Sequence, residues 1–394
     1  MTKHELFNGL KCPSVGNRIH LITHNDLDGA APGIILESIY GEDNVTVTSV
    51  GNNYMSDAIE RAVTDNYSSH DYDFVMVCDI SCDEAAAERI NALSGLDNFV
   101  LLDHHKTADN LNKYPWAVVC SPMPDDSFRR MLIPDNAPSD KVCSSGTSLL
   151  YDFLDEKGVL NEAHSANYDH LRYLTHVVAT YDTWMWKTVY TDAEECRDLN
   201  ELFYIYGRED FERNMLDYVM SDEDIPLISG FDRELLNIEH RRMKDSVDKI
   251  SKGFRTGTIK LSDKDYSAVF VTNSQFIPAV FERMQTDYPD KDLYVMNCGY
   301  SLSFRSLKDD IDVSAIAASL GGGGHKGAAG VSISFDEQVG LMANVMNIPS
   351  HAITIDEPVS SAMPLRTVRK DGVAERHVPD TQNISVDKNV SFSR

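Results

Sequence analysis

The sequence predicts an α/β protein in which a doubly wound, mainly parallel sheet is joined by a helical linker to a smaller α/β domain. Short apolar runs alternate with helical segments of about 10 residues, which is typical of a parallel sheet. These runs look buried on both faces, as such a sheet requires. A second set of strands and helices follows a highly charged helix, and 394 residues are enough for two domains.

Five strands are predicted in the first half of the chain, the one at 45–50 from alternating side chains and the others from short apolar runs. They lie at 18–23, 45–50, 72–78, 99–102 and, within a proline-rich stretch at 115–137, at 117–120. The apolar spacing predicts helices at 30–41, 57–66, 84–93, 144–156, 164–180 and 193–220.

A second set of strands and helices follows the charged helix predicted at 231–250. Strands are predicted at 258–261, 267–272, 293–298, 300–304 and 331–335, and helices at 277–286 and 313–320. This order divides the chain into a first domain at 1–228, a helical linker at 229–252, a second domain at 253–349 and a polar tail at 350–394.

The composition argues against several classes of function. The net charge is −26, from 36 Lys and Arg against 62 Asp and Glu, and residues 1–252 carry −23 of it. A protein that grips long duplex nucleic acid needs a basic surface instead. No apolar run could span a bilayer, and the N-terminus lacks a signal-peptide pattern. Seven cysteines without a C-x-x-C pair argue against structural zinc or a disulfide framework, so we expect a cytoplasmic protein.

Acidic motifs follow three of the predicted strands. They are His24-Asn25-Asp26-Leu27-Asp28-Gly29 after the first, Asp79 at the end of the third and Asp103-His104-His105 at the end of the fourth. Because ligands bind outside the carboxyl ends of parallel strands, we expect the motifs to converge on one crevice. Each alone is typical of a helix cap or turn. Clustered Asp and His side chains, however, are costly without a cation, and this ligand set suits manganese, zinc or iron.

A glycine-rich segment, 321–330, lies between a predicted helix and a predicted strand of the second domain. Glycines let backbone amides approach an anion, and neighbouring His, Lys and Arg side chains add donors. The sequence therefore predicts a phosphate-binding site in this domain. Its candidate residues are Arg305, Ser306, Gly322, Gly323, Gly324, His325 and Lys326.

Taken together, these motifs resemble the DHH phosphoesterase superfamily, named for the motif seen here at Asp103-His104-His105. The glycine-rich segment is similar to that of the DHH-associated substrate-binding domain, so 1–228 is expected to be the DHH catalytic domain. The family's fourth motif, an Asp at a helix end, matches Asp182. The resemblance implies two divalent cations, manganese in the first place, with magnesium or cobalt as alternatives.

The resemblance also implies which residues hold these cations. Asp26 would bind the first cation, and Asp28, His104 and Asp182 the second, while Asp79 would bridge the two. His24 departs from the pattern of several members, because it lies two residues before the first Asp rather than four. We still expect it to ligate the first cation.

The remaining matched residues would act on the substrate. By the same resemblance, His105 would contact the scissile phosphate or the leaving group, with Asp103 supporting it. Arg305 and His325 would hold a substrate phosphate from the second domain.

The whole pattern predicts a phosphoester hydrolase. The second domain disfavours the pyrophosphatase branch, and the short tail disfavours a large RecJ-type nuclease. We expect a nanoRNase-like, manganese-dependent phosphodiesterase that hydrolyses short single-stranded oligonucleotides or dinucleotides to nucleoside 5′-monophosphates. The alternatives are a cyclic-dinucleotide or 3′-phosphoadenosine-phosphate hydrolase, a RecJ-like single-strand exonuclease, and an inactive nucleotide-binding scaffold. We expect the chain to bind this substrate and, as one option, a second copy of itself in a homodimer. We expect it to bind neither long duplex nucleic acid nor a membrane.

Overall fold

The computed structural model describes residues 1–51, 54–162, 167–190, 194–261, 264–347 and 349. The predicted tail at 350–394 and the predicted helix start at 164 lie outside these residues. The chain divides into two units, of which the first starts at Met1 and reaches Leu227 and the second starts at Ile228. No helix among the described residues is long and apolar enough to cross a membrane.

A parallel five-stranded sheet forms the centre of the first unit. Its strands are β1 (Ile19–His24), β2 (Val45–Val50), β3 (Phe74–Cys78), β4 (Phe99–Asp103) and β5 (Ala117–Val119). Their order in the sheet is β2-β1-β3-β4-β5, and every neighbouring pair is parallel. The chain leaves β1 toward β2 on one side and later returns to β3 on the other, so a topological switch point lies between β1 and β3.

Helices cover both faces of this sheet, as the sequence predicts. The helices of the first unit are α1 (Lys3–Phe7), α2 (Leu27–Tyr40), α3 (Met55–Ser69), α4 (Glu84–Asn91), α5 (Gly146–Glu156), α6 (Val159–Glu162), α7 (Tyr168–Asp182), α8 (Met185–Thr188), α9 (Glu194–Tyr206) and α10 (Arg208–Met220). Side chains alternate between faces along each strand. Ile22, Val75, Val77 and Leu101 pack with α3 and α4 on one face, while α2 packs with α5, α7 and α10.

Helix α2 is buried almost all round because its sequence is apolar on every face. Pro32 lies inside it and has no N–H to donate to the carbonyl of Asp28, four residues earlier. The hydroxyl of Thr147 donates to that carbonyl instead, at 2.9 Å. This contact ties the start of α2 to the start of α5.

The second unit contains a six-stranded mixed sheet. Its elements are α11 (Gly230–Ser251), β6 (Arg255–Leu261), β7 (Lys264–Thr272), α12 (Ile277–Asp287), β8 (Leu293–Asn297), β9 (Ser301–Arg305), α13 (Val313–Ser319), β10 (Gly323–His325), β11 (Ala328–Ser332) and α14 (Phe335–Met346). The strand order is β10-β11-β9-β8-β7-β6, in which β7 and β8 form the parallel pair. Val247 of α11 packs into the core formed with α12.

Two sequence predictions of local structure are wrong. The helix predicted at 193–220 is two helices, because Gly207 adopts a φ of +74° between α9 and α10. The strand predicted at 331–335 ends at Ser332, since a capping box at Ser334 starts α14 there. Within the glycine-rich segment, β10 pairs antiparallel with β11.

Candidate metal centre

The three acidic motifs lie together at the carboxyl ends of β1, β3 and β4, beside the switch point of the sheet. Among the described residues, their side chains form three groups of candidate ligands, each with ligand atoms within 4.8 Å of one another. The first group is His24, Asp26 and Asp79, and the second is Asp28, His104 and Asp182. The third group, Asp79, Asp103, His104 and His105, shares Asp79 with the first and His104 with the second.

The first group is held by the loop that joins β1 to α2. Asp26 is the N-cap of α2, and its carboxylate accepts a hydrogen bond from the Gly29 N–H at 3.0 Å. Nδ1 of His24 lies 2.7 Å from the Asp26 carboxylate and 3.9 Å from Oδ2 of Asp79. Because His24 ends β1, its ring lies between the two carboxylates.

The second group is centred on the imidazole of His104. Its Nε2 lies 3.5 Å from Oδ2 of Asp182 and 3.9 Å from Oδ2 of Asp28. The same nitrogen is 3.2 Å from Oδ1 of Asp79, a member of the first group. Asp79 therefore stands between the groups, with one oxygen near each histidine.

The backbone of Asp79 adopts an unusual conformation to reach this position. Its φ is +63°, in the left-handed region that few residues other than glycine occupy. The side chain is only 2% exposed. Burial, followed by the charges of Asp28 and Asp26, raises the pKa of Asp79 well above its usual range.

Asp28 is oriented by the N-terminus of α5. Its Oδ2 accepts a hydrogen bond from the Gly146 N–H at 2.7 Å, and its Oδ1 accepts one from the Thr147 N–H at 3.2 Å. Backbone amides at a helix start favour a carboxylate through both hydrogen bonding and the helix dipole. Gly146 is needed for this approach, because a Cβ there would lie 2.5 Å from the Cβ of Asp79.

Asp103 and His105, members of the third group, form a hydrogen-bonded pair. The buried Asp103 carboxylate accepts hydrogen bonds from the His104 N–H at 2.8 Å and from Nδ1 of His105 at 2.7 Å, and from the hydroxyl of Ser81. The bond from Asp103 raises the pKa of His105 above its usual value. The His105 side chain is half exposed, so its imidazole is accessible at the edge of the site.

The donor set of this site fits divalent cations. Within the described part of the chain, Oδ2 of Asp79 and Oδ2 of Asp182 are buried and accept no hydrogen bond. Burial and the charge of Asp28 also raise the pKa of Asp182 well above its usual range. Buried carboxylates that repel one another and lack donors are stabilised by bound cations. Six carboxylate and imidazole side chains in two groups suit a hard or borderline metal ion.

Sequence comparison shows a protein to which this chain is similar. No protein-family model matches the chain. Oligoribonuclease NrnB of Bacillus subtilis is 28% identical over 319 residues, which cover 80% of this chain and 73% of the relative. The motifs at the strand ends resemble those of the DHH superfamily of phosphoesterases.

Solved structures give looser likenesses. The DHH domain of a member of a ribosomal-protein family has a TM-score of 0.47 and 13% identity, covering 87% of this chain and 88% of that one. RecJ of Thermus thermophilus in complex with Mn²⁺ has a TM-score of 0.42 and 15% identity, covering 86% and 53%. Because both TM-scores are below 0.5, these likenesses carry no argument about the function of this chain.

Two arginines outside the recognised motifs bind the backbone and side chains around the site. Arg208 starts α10, and its guanidinium donates to the carbonyls of His24 at 2.7 Å and Gly29 at 3.0 Å. The fully buried Arg129 donates to the carbonyl of Cys143 at 3.1 Å and to the hydroxyl of Thr180 at 3.4 Å. No sequence pattern marks either arginine, because each acts on residues distant in the chain.

The second unit places the predicted phosphate-binding residues around β9, β10 and β11. Arg305 ends β9 and pairs in register with Ala328 of β11. Its guanidinium is half-buried, lies 4.7 Å from the ring centroid of Phe281 and donates to Oγ of Ser303 at 3.1 Å. The Ser306 hydroxyl is engaged too, since it donates to the carbonyl of Asp292 at 2.8 Å.

The predicted residues of the glycine-rich segment lie in and beside β10. Gly323, Gly324 and the backbone of His325 form β10, while the side chain of His325 lies outside the described structure. Gly322 precedes the strand, and a Cβ there would lie 2.1 Å from the Gly330 carbonyl, so this position requires glycine. Lys326 is exposed in the turn that follows.

Proposed function

We propose that this chain is a two-metal-dependent phosphodiesterase that hydrolyses short oligonucleotides or dinucleotides to nucleoside 5′-monophosphates. The observation that carries the proposal is the pair of ligand groups joined at Asp79. The similarity to an oligoribonuclease supports the substrate class.

In this proposal each of the first two ligand groups would bind one cation. His24 and Asp26 would hold one cation, Asp28, His104 and Asp182 would hold the other, and Asp79 would contribute to both. Bound there, the cations, with manganese favoured, would supply Lewis-acid polarisation of the phosphoryl oxygens and a lowered pKa for an attacking water.

The protein side chains then orient the substrate and move the proton. Asp103 accepts a hydrogen bond from Nδ1 of His105 and favours the protonated form of the imidazole, so that Nε2 can donate a proton to the departing oxygen. Arg305 suits a second substrate phosphate, because its planar fork can form two parallel hydrogen bonds. Ser306, Gly322–Gly324, His325 and Lys326 are proposed to act with it.

The test combines metal analysis with a product assay. The purified chain is freed of metal, titrated with Mn²⁺ and incubated with labelled di- to decanucleotides and with cyclic dinucleotides. We expect Mn²⁺-dependent release of 5′-monophosphates, fastest from the shortest linear substrates. Faster hydrolysis of cyclic dinucleotides would favour the alternative of a cyclic-dinucleotide hydrolase. The absence of both metal uptake and hydrolysis would refute the proposed function.

Two variants separate metal binding from substrate binding. Asp79→Asn should abolish hydrolysis and weaken Mn²⁺ binding, whereas Arg305→Met should raise KM and leave the metal content unchanged. Asp65→Asn, an exposed carboxylate on α3, is the control. Equal loss of metal in the Arg305 variant would contradict its proposed role.

A further inference from the structure

An exposed aromatic residue follows the last candidate ligand directly. Helix α7 ends at Asp182, α8 begins at Met185, and Trp184 lies between them. The indole of Trp184 is 60% exposed, while the adjacent Met185 is fully buried.

The backbone of Trp184 is held in a strained conformation. Its φ is +59°, in the left-handed region that is uncommon for a bulky residue. The turn is fixed by three hydrogen bonds: the Trp184 N–H donates to the Tyr181 carbonyl at 3.1 Å, and the Trp184 carbonyl accepts from the N–H groups of Lys187 at 3.0 Å and Thr188 at 3.2 Å. A well-fixed turn therefore presents the ring to solvent at a conformational cost.

A lysine accompanies this ring. Nζ of the exposed Lys187 lies 4.5 Å from the ring centroid of Trp184 and 4.6 Å from that of Trp186. Trp186 is half-buried and stacks on Tyr181, with centroids 5.9 Å apart and planes at 11°. The two indoles thus differ: one packs within the protein, and the other is open with a cation beside it.

The open ring lies within reach of the ligand groups. Trp184 is two residues from Asp182, so their Cα atoms are at most about 7.6 Å apart. Tyr181, which stacks on Trp186, directly precedes Asp182 at the end of α7. A nucleotide whose phosphate occupies the site could extend its base over this turn.

We propose that Trp184 and Lys187 form a nucleobase-binding subsite, in which the indole stacks on the base next to the scissile phosphate and the ammonium contacts the nucleotide backbone. This inference rests on the proposed function for its substrate class. Aromatic rings beside cations are the usual means of holding single-stranded nucleic acid, and stacking tolerates any base. A cation here also provides local attraction in a stretch, 1–252, whose net charge is −23.

The test compares a normal dinucleotide with one that lacks the bases. Trp184→Asn removes the ring with a residue that tolerates the left-handed backbone. We expect kcat/KM for the normal dinucleotide to fall about 5- to 150-fold, mostly through KM, because that is the range for one stacked base. Hydrolysis of the abasic substrate should not change, and Trp184→Phe should restore most of the loss.

Further variants and a binding measurement complete the design. Lys187→Met should weaken binding of both substrates and reduce its salt dependence. Tyr300→Ala, which removes another exposed aromatic ring, is the matched control. AMP binding, measured by calorimetry, should be weaker in the Trp184→Asn variant than in the wild type.

The outcomes separate this inference from the proposed function. If the wild type hydrolyses neither substrate, the proposed function fails, while AMP binding still tests the subsite. If the wild type is active but Trp184→Asn alters neither the preference for the normal dinucleotide nor AMP binding, the subsite is refuted.

Discussion

Replacing Gly146 by alanine tests how closely α5 must approach the ligand groups. Gly146 is the first residue of α5, and its N–H donates to Asp28. A Cβ at this position would lie 2.5 Å from the Cβ of Asp79 and 2.8 Å from its Cα. Carbon atoms prefer separations of about 3.5–4.0 Å, so the helix start and Asp79 must move apart by about 1 Å.

This displacement should affect stability and activity to different extents. Overpacking of a dense region costs about 1–3 kcal/mol of unfolding free energy. A shift of about 1 Å in positioned groups can cost about 100-fold in rate. For Gly146→Ala we therefore expect a folded protein with modestly lower stability, weaker Mn²⁺ binding and about 100-fold lower kcat/KM.

The chain offers a matched control at Gly230. It is also the first residue of a helix, α11, and both glycines follow a serine N-cap with a capping box. No heavy atom lies within 4 Å of a Cβ built at Gly230. Gly230→Ala should therefore leave hydrolysis and Mn²⁺ affinity unchanged. Wild-type activity in Gly146→Ala, or equal losses in both variants, would refute the reasoning.

Three further changes test the surroundings of the site. Arg208→Met removes two charge-assisted hydrogen bonds to the β1–α2 loop, so Mn²⁺ affinity measured by titration should fall at least tenfold. Burial raises the pKa of Asp152 from 3.8 to about 7. Because Asp152 therefore ionises more readily in the unfolded chain, the unfolding free energy of the wild type should fall as the pH rises from about 4 to 7. Urea unfolding should show Asp152→Asn gaining stability relative to wild type over this range, and Asp65→Asn should show no such trend. Asp79→Asn should raise the melting temperature of the metal-free protein, because it removes a buried charge, and should abolish the additional stabilisation by Mn²⁺.

The sequence predicts the strand ends well because each follows a short apolar run. His24, Asp79 and Asp103 end or directly follow β1, β3 and β4, so parallel pairing alone is enough to bring them to one edge. Each of these motifs is continuous in the chain. The parallel pairing of the strands then brings these motifs together at one edge of the sheet.

The contacts that orient these residues could not be predicted in the same way. The bond from Gly146 to Asp28 spans 118 positions, and the bond from Arg208 to the His24 carbonyl spans 184. Neither Gly146 nor Arg208 belongs to a motif. Helix propensity also gives no information about which distant residue the first turn of a helix will contact. The break at Gly207 was missed for a related reason, because the apolar spacing continues on both sides of it.

The protein's own donors define where cations can bind. Asp28 accepts two backbone N–H groups, Asp26 accepts one, and Asp103 is fully engaged by His104, His105 and Ser81. These bonds fix the carboxylates but leave lone pairs unused, since each oxygen can accept two hydrogen bonds. Among the described residues, Oδ2 of Asp79 and Oδ2 of Asp182 receive no donor and remain buried. The fold therefore supplies donors to the carboxylates that must be oriented and leaves without donors two buried oxygens, 3.9 Å from Nδ1 of His24 and 3.5 Å from Nε2 of His104, which is where positive charge is required.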